Sequence, residues 1–131
     1  MAQREGLEVA ALSARLHLGL CAWRRGSVPE ARDAFEEVRQ AARGNLFSHE
    51  FYACIGAAWS FAAEDRWTDA ELCLMQAEDL RFDVRLSDAE AEELRLALRK
   101  LATDARRDDI VSRIEKIDVV GTKTSTTHHT Q

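Results

Sequence analysis

The sequence predicts an all-α fold of about five to six helices, arranged as antiparallel hairpins. Three observations lead to this prediction. Proline occurs once and glycine six times in 131 residues, and such scarce turn residues disfavour an all-β chain. Apolar residues recur at helical spacing along most of the chain. The first two predicted helical pairs also share a common pattern of residues.

Composition narrows the classes of function. Hydrophobic residues make up 46% and charged residues 31%, as in an ordinary globular protein of one domain. The formal net charge of −5 disfavours an electrostatic grip on nucleic acid or on an anionic membrane. No apolar run reaches the length of about 18 residues that a membrane span needs. We therefore expect a cytoplasmic protein that binds neither nucleic acid nor membrane.

The first predicted pair of helices covers residues 7–45. Residues 7–23 are so rich in apolar side chains that the first helix should be covered on more than one side. Residues 24–26 end it with two arginines and a glycine. Ser27 and Glu30 form a capping box that opens the second helix, and residues 43–45 close it.

The second predicted pair repeats this arrangement. Residues 51–63 form a third helix that is apolar almost all round, and Thr68 with Glu71 offers a cap for a fourth helix. Residues 82–86 are predicted to form a loop. The fourth helix carries its apolar residues at helical spacing.

The C-terminal part is predicted to be a cap. Ser87 and Glu90 signal a fifth helix, with leucines on one face and a charged opposite face that includes Arg95. Asp108 or Asp109 is expected to cap a last short helix. We expect one domain over residues 1–119, with cap helices over 87–119. The threonine-rich residues 120–131, which include two histidines, are expected to form a disordered tail.

An internal repeat relates the two pairs. Gly19, Ala31, Phe35 and Val38 map onto positions 58, 70, 74 and 77, and each pair differs by 39 (58 − 19 = 39). Small residues at 19 and 31 should let the two helices of a pair approach closely. A fixed period with two helices per unit is typical of solenoid repeats.

The stretches LGLCAWRRGSVPEARDAFEEV and AAWSFAAEDRWTDAELCLMQA resemble the tetratricopeptide repeat family. Residues 18–19 match the family's Leu-Gly pair, Gly26 matches its turn glycine, and Ala31, Phe35 and Val38 match its second-helix positions. The resemblance implies a short right-handed solenoid with repeats over about 13–46 and 52–85. The second repeat departs from the family in having Asp65 at the turn. A generic array of helical hairpins is the close alternative.

The resemblance implies a binding surface. In such repeats the first helix of each pair lines a concave groove, and aromatic residues with a flanking arginine are typical anchors at protein interfaces. Family members that grip acidic C-termini carry lysine and asparagine there, so this groove favours an apolar target. The predicted peptide-binding groove consists of Leu16, Leu20, Trp23, Arg24, Tyr52, Ile55, Trp59 and Ala62.

These features predict a protein-interaction module, an adaptor or chaperone that holds an apolar or amphipathic segment of a partner polypeptide. Small members of the family that shelter secretion subunits offer an analogy. The alternative is a structural subunit that self-associates through the same apolar surfaces. A further alternative is that the last helix, over residues 110–120, folds back and fills the groove.

The sequence predicts no catalytic residues, no metal and no cofactor, and hence no enzyme. His17 and Cys21 are spaced for one face of a helix, but two ligands without a third nearby make a weak metal site. His49 is expected near the start of the third helix. The cysteines at 21, 54 and 73 are an odd set without a CxxC motif, and we expect buried reduced thiols.

Overall fold

The computed structural model describes residues 2–80 and 89–117, with side chains described from residue 8 onward. All regular secondary structure in these residues is α-helical, which confirms the predicted fold class. None of the described helices combines the length and the apolar character required to cross a membrane. The six helices are α1 (Ala2–Arg25), α2 (Val28–Ala41), α3 (Phe47–Ala63), α4 (Trp67–Leu80), α5 (Ala89–Asp104) and α6 (Asp108–Lys116).

Most helix boundaries lie within a few residues of their predicted positions. The largest differences are at the starts of two helices: α1 begins at Ala2 rather than at position 7, and α3 begins at Phe47 rather than at position 51. Helix α4 begins at Trp67, so Thr68 lies inside the first turn instead of capping it. The predicted loop at 82–86, the cap at Ser87 and the tail at 120–131 fall outside the described residues.

The three hairpins α1–α2, α3–α4 and α5–α6 are built with the same turn. In each turn one residue has left-handed backbone geometry, namely Gly26 (φ 78°), Asp65 (φ 62°) and Arg106 (φ 59°). The next N–H bonds five residues back, to a helix carbonyl, at 2.8–2.9 Å. This is the Schellman arrangement that satisfies the last carbonyls of a helix. Helices α5 and α6, predicted as a cap, therefore form a third hairpin of the same construction.

The ring of Phe35 joins the first hairpin to the second. Phe35 has no exposed surface and lies against Gly19 of α1 and Gly56 of α3. A Cβ atom would be 2.9 Å from the ring at Gly19 and 2.6 Å at Gly56. Both glycines are thus required for close packing. The sequence pattern identified Gly19 as such a position and missed Gly56.

Helix α3 lies at the centre of the molecule. It packs against α1, α2, α4 and α5, whereas α6 packs against α5 and α4. Twelve of its residues are buried, as its all-round apolar pattern predicts. One continuous apolar core takes buried residues from all six helices.

Helix α1 is an edge helix. Its described contacts with other helices are with α2 and α3, and Leu18 is 53% exposed while Val9 is 37% exposed. These two neighbours cover part of the surface of α1, and other apolar side chains of this helix stay exposed. Helix α1 carries more apolar side chains than its two neighbouring helices can cover.

A buried polar network holds the connection between α2 and α3. The carboxylate of Glu50, 3% exposed, accepts hydrogen bonds from the Gly44 N–H at 2.9 Å and from Gln76 Nε2 at 2.6 Å. Arg39 donates to Gln76 Oε1 at 2.7 Å. This network gives the connection between α2 and α3 a defined path, because a buried carboxylate needs such donors.

The C-terminal hairpin departs from its predicted pattern at one residue. Arg95 was expected on the charged outer face of α5 but is only 9% exposed. Its guanidinium donates to the Glu92 carboxylate at 2.8–2.9 Å and approaches the Ile114 carbonyl at 3.5 Å. It is covered because α6 packs back onto α5.

Candidate interaction cleft beside helix α1

A cleft of about 280 Å³ opens between α1 and the first turns of α3 and α5. We call it the α1 cleft. Its floor is apolar: Leu20 and Tyr52 are buried and Leu16 is half-buried. Its rim is polar, so a guest would meet an apolar floor surrounded by hydrogen-bonding groups. The lining residues are Ser13, Leu16, His17, Leu20, Ser48, His49, Tyr52 and Glu90.

Helical spacing places these groups together. Ser13, Leu16, His17 and Leu20 lie three to four residues apart, and such residues share one face of α1. The hydroxyl of Ser13 lies 2.8 Å from Nε2 of His49 on α3. This contact ties the two helices together at the mouth of the cleft.

His17 contacts a polar side chain of its own helix. Its Nε2 lies 3.6 Å from Sγ of Cys21, one turn further along. Among the described residues, no group of three or more His, Cys, Asp or Glu is arranged to hold a metal ion.

An ion-pair bridge links α1 to α5 beside the cleft. Arg24 Nη2 lies 2.7 Å from Glu90 Oε2 and 3.4 Å from Glu93 Oε1. The hydrogen bond with Glu90 raises the pKa of Arg24 above its ordinary value. The described backbones of α1 and α5 are not in contact. The long side chain of Arg24 therefore spans a gap between the two helices.

Two tryptophans lie next to this bridge. The rings of Trp23 and Trp59 meet edge to face, with centroids 6.4 Å apart. The guanidinium carbon of Arg24 lies 5.5 Å from the Trp23 ring. Both tryptophans are half-buried and pack against the core, so they support the bridge and expose only part of their surface.

The structure divides the eight predicted groove residues into three sets. Leu16, Leu20 and Tyr52 line the α1 cleft, and Trp23, Arg24 and Trp59 form the neighbouring bridge. Ile55 has no exposed surface and Ala62 is 5% exposed. These last two lie in the core, where a partner cannot reach them in this conformation.

Burial of Ile55 has a definite cause. Helix α5 packs against α3, and its leucines at 94 and 98 belong to the same core cluster as Ile55. The alternative that the last helix fills the groove is wrong for its described part, since residues 110–116 lie in α6, which packs against α5 and α4. It is α5 that covers α3, and the accessible part is reduced to the α1 cleft.

Five of the eight residues that line the cleft were absent from the groove predicted from the sequence. Ser48 was not considered and His49 was placed only near the start of the third helix, because α3 was expected to begin at position 51. Glu90 was interpreted only as part of a helix cap. Glu93, which also lies near Arg24, was interpreted only as a solvated residue. Ser13 and His17 lie three residues before the leucines at 16 and 20. This helical spacing places them on the same face of α1 and could have identified both residues from the sequence.

The cysteines behave as expected at two of three positions. All three are free, Cys54 and Cys73 are buried, and Cys21 is half-exposed. Burial raises the pKa of the Cys54 thiol, and it raises the pKa of Cys73 to about 12. Both buried thiols are therefore protonated and unreactive at neutral pH.

Comparisons of the chain with protein-family models, with curated proteins and with solved structures found no match. The resemblance to tetratricopeptide repeats thus stays a prediction from the sequence.

Proposed function

We propose that this protein is an interaction module, an adaptor or chaperone, that binds an apolar segment of a partner polypeptide in the α1 cleft. The observation that carries the proposal is the combination of an apolar floor, formed by Leu16, Leu20 and Tyr52, with a polar rim. Anchoring side chains at protein interfaces bind in such desolvated pockets surrounded by groups that exclude water.

The size of the cleft defines the guest. Its volume of about 280 Å³ lies just below the range of about 300–1,000 Å³ typical of small-molecule sites. Because α5 packs against α3 and buries Ile55, a long guest helix has no continuous trough along α3. The guest should insert one or two large apolar side chains, while its backbone passes over the rim.

The repeated hairpins are consistent with this role. Three hairpins with the same left-handed turn support the proposed kinship with tetratricopeptide repeats, in which the first helices present a binding face. A cytoplasmic location follows from the same proposal, since the cysteines are free thiols and reduced thiols are usual there.

A structural subunit is the second candidate. It is favoured by the edge helix α1, on which Leu18 is 53% exposed. Self-association would cover this leucine and leave the α1 cleft vacant. Light scattering distinguishes the two functions: self-association predicts an oligomer that Leu18→Glu dissociates, whereas the interaction module predicts a monomer in both forms.

A selection from random short peptides displayed on phage tests the binding function directly. We expect peptides with one or two large apolar residues, and Leu16→Glu should weaken their binding by about tenfold or more, because a carboxylate would enter the apolar floor. Leu72→Glu is the matched control, since Leu72 is 56% exposed on α4.

Circular dichroism should show the same helicity in both variants, because Leu16 is only half-buried. Peptides that bind wild type, Leu16→Glu and Leu72→Glu with equal affinity would exclude the α1 cleft as the binding site. A selection that yields no apolar peptide would refute the proposed function itself.

A further inference from the structure

One face of the edge helix α1 is apolar although it is exposed. Between Glu8 and Arg24 the helix carries a single charged residue, Arg15, and Arg15 pairs with Glu37 of α2 at 2.7 Å. An exposed helix face usually carries charged and polar residues, so an uncharged one is typical of a contact surface. Four exposed apolar residues share this face at helical spacing, namely Ala10, Ala11, Ala14 and Leu18.

Two side chains that can bind a metal lie on the same face. His17 and Cys21 follow Ala10 and Ala14 at intervals of seven residues, which is two helical turns. His17 is exposed and Cys21 is half-exposed. Nε2 of His17 lies 3.6 Å from Sγ of Cys21, so the two ligand atoms are held side by side near the surface.

The separation of these two atoms fits zinc. In proteins Zn²⁺ binds an imidazole nitrogen at about 2.0–2.1 Å and a thiolate sulfur at about 2.3 Å, with tetrahedral angles. This geometry places the nitrogen and the sulfur about 3.5–3.6 Å apart, which agrees with the 3.6 Å between Nε2 and Sγ. His17 and Cys21 can therefore occupy two corners of a zinc tetrahedron with little movement.

Two more ligands are needed, and the described part of one chain brings no three His, Cys, Asp or Glu together in a way that suits a metal. A structural zinc site takes four protein ligands, for example two cysteines and two histidines. Two-fold symmetry places every residue of a contact face in the interface twice. Two α1 helices that pack across such an axis would supply both missing ligands, and the alanines at 10 and 14 leave room for close approach.

We propose that zinc joins two copies of this chain through α1, with His17 and Cys21 of each copy as its four ligands. The proposal goes beyond the peptide-binding function and does not depend on it. Each thiol releases its proton to solvent as zinc binds, so one Zn²⁺, two thiolates and two neutral imidazoles form an uncharged site. Three alanines and one leucine lack the large anchors typical of stable interfaces, so the dimer requires the metal.

Light scattering of the full chain, kept reduced by a phosphine, tests the proposal with zinc ion alone. With a chelator the protein should have the monomer mass of 14.8 kDa. Half an equivalent of zinc should double this mass, with one metal bound per two chains. Because the metal-free protein stays monomeric, the comparison with Leu18→Glu still separates peptide binding from self-association when it is made in chelator. An unchanged mass with zinc, or one zinc bound per monomer, would overturn the proposal.

Variants identify the ligands. His17→Ala and Cys21→Ser should each abolish the increase in mass, and circular dichroism should show unchanged helicity because both side chains reach the surface. The matched controls are His49→Ala and the double variant His128→Ala/His129→Ala, which remove the other histidines of the chain, and both should still dimerise. A zinc-dependent dimer that survives His17→Ala and Cys21→Ser, or that is lost in either control, would place the metal elsewhere and refute the proposal.

The reactivity of Cys21 gives a second measurement. A thiolate bound to zinc is occupied as a ligand, so zinc should slow the reaction of Cys21 with a disulfide reagent in wild-type protein. His17→Ala keeps the thiol but lacks one ligand of each copy, and zinc should give it no protection. Equal protection of wild type and His17→Ala, or no protection of either, would contradict the proposed ligand set.

Discussion

Substitution of Gly56 by alanine tests the packing that joins the first two hairpins. In an ordinary helix interior this change is favourable, because alanine has a helix propensity about 1 kcal/mol better than that of glycine. At Gly56 the new methyl group would lie 2.6 Å from two ring carbons of Phe35. Carbon atoms prefer about 3.5–4.0 Å, so the ring or a helix must move by about 1 Å.

The ring has little freedom to move. Phe35 has no exposed surface, and its ring also lies close to Gly19, where a Cβ would be 2.9 Å away. Overpacking of a tight core typically costs about 1–3 kcal/mol. After subtracting the gain in helix propensity of about 1 kcal/mol, we expect Gly56→Ala to lower the free energy of unfolding by up to about 2 kcal/mol.

Urea unfolding followed by circular dichroism measures this quantity, and Phe35→Leu provides the control background. A smaller side chain at position 35 relieves the contact, so Gly56→Ala should cost less in Phe35→Leu than in wild type. Stabilisation by Gly56→Ala in both backgrounds, as in an isolated helix, would refute the proposed packing between α2 and α3.

Three further predictions concern other parts of the fold. Glu50→Ala should lower the free energy of unfolding in urea by about 1–3 kcal/mol, because it leaves buried donors without their acceptor; an unchanged midpoint would contradict the buried network. A disulfide reagent at pH 8 should react quickly with one thiol, that of Cys21. Burial and raised pKa values keep the thiols of Cys54 and Cys73 protonated. Rapid reaction of all three thiols in folded protein would show that the core is open to the reagent. Arg106→Gly should raise the free energy of unfolding by up to about 1 kcal/mol, because a φ of 59° strains a residue that has a Cβ atom. Arg106→Val should lower the free energy of unfolding. A decrease in both variants would contradict the left-handed turn.

The sequence predicted those parts of the fold that depend on local patterns. Helical spacing of apolar residues located all six helices, and the glycine at position 26 marked the first turn. The 39-residue offset correctly placed the second turn at Asp65, where an aspartate tolerates left-handed geometry. The third turn at Arg106 was missed, since arginine gives no such signal.

The candidate cleft was predicted only in part, because its shape depends on tertiary contacts. Nothing local to Ile55 indicates that α5 covers it, and nothing local to Arg24 indicates that two carboxylates of α5 neutralise it. An amphipathic pattern defines which face of a helix is apolar but does not specify which element covers that face. For this reason five of the eight predicted groove residues belong to the core or the bridge, and three line the cleft.

The most direct test of the central claim is nuclear magnetic resonance of isotope-labelled protein titrated with a selected apolar peptide. We predict that the largest chemical-shift changes occur at Leu16, Leu20 and Tyr52, with contacts between peptide side chains and the Leu16 methyl groups. Leu72 and Met75 on the outer face of α4 should stay unchanged. Shifts concentrated on α4 or around Leu18, with none at Leu16, would contradict binding in the α1 cleft.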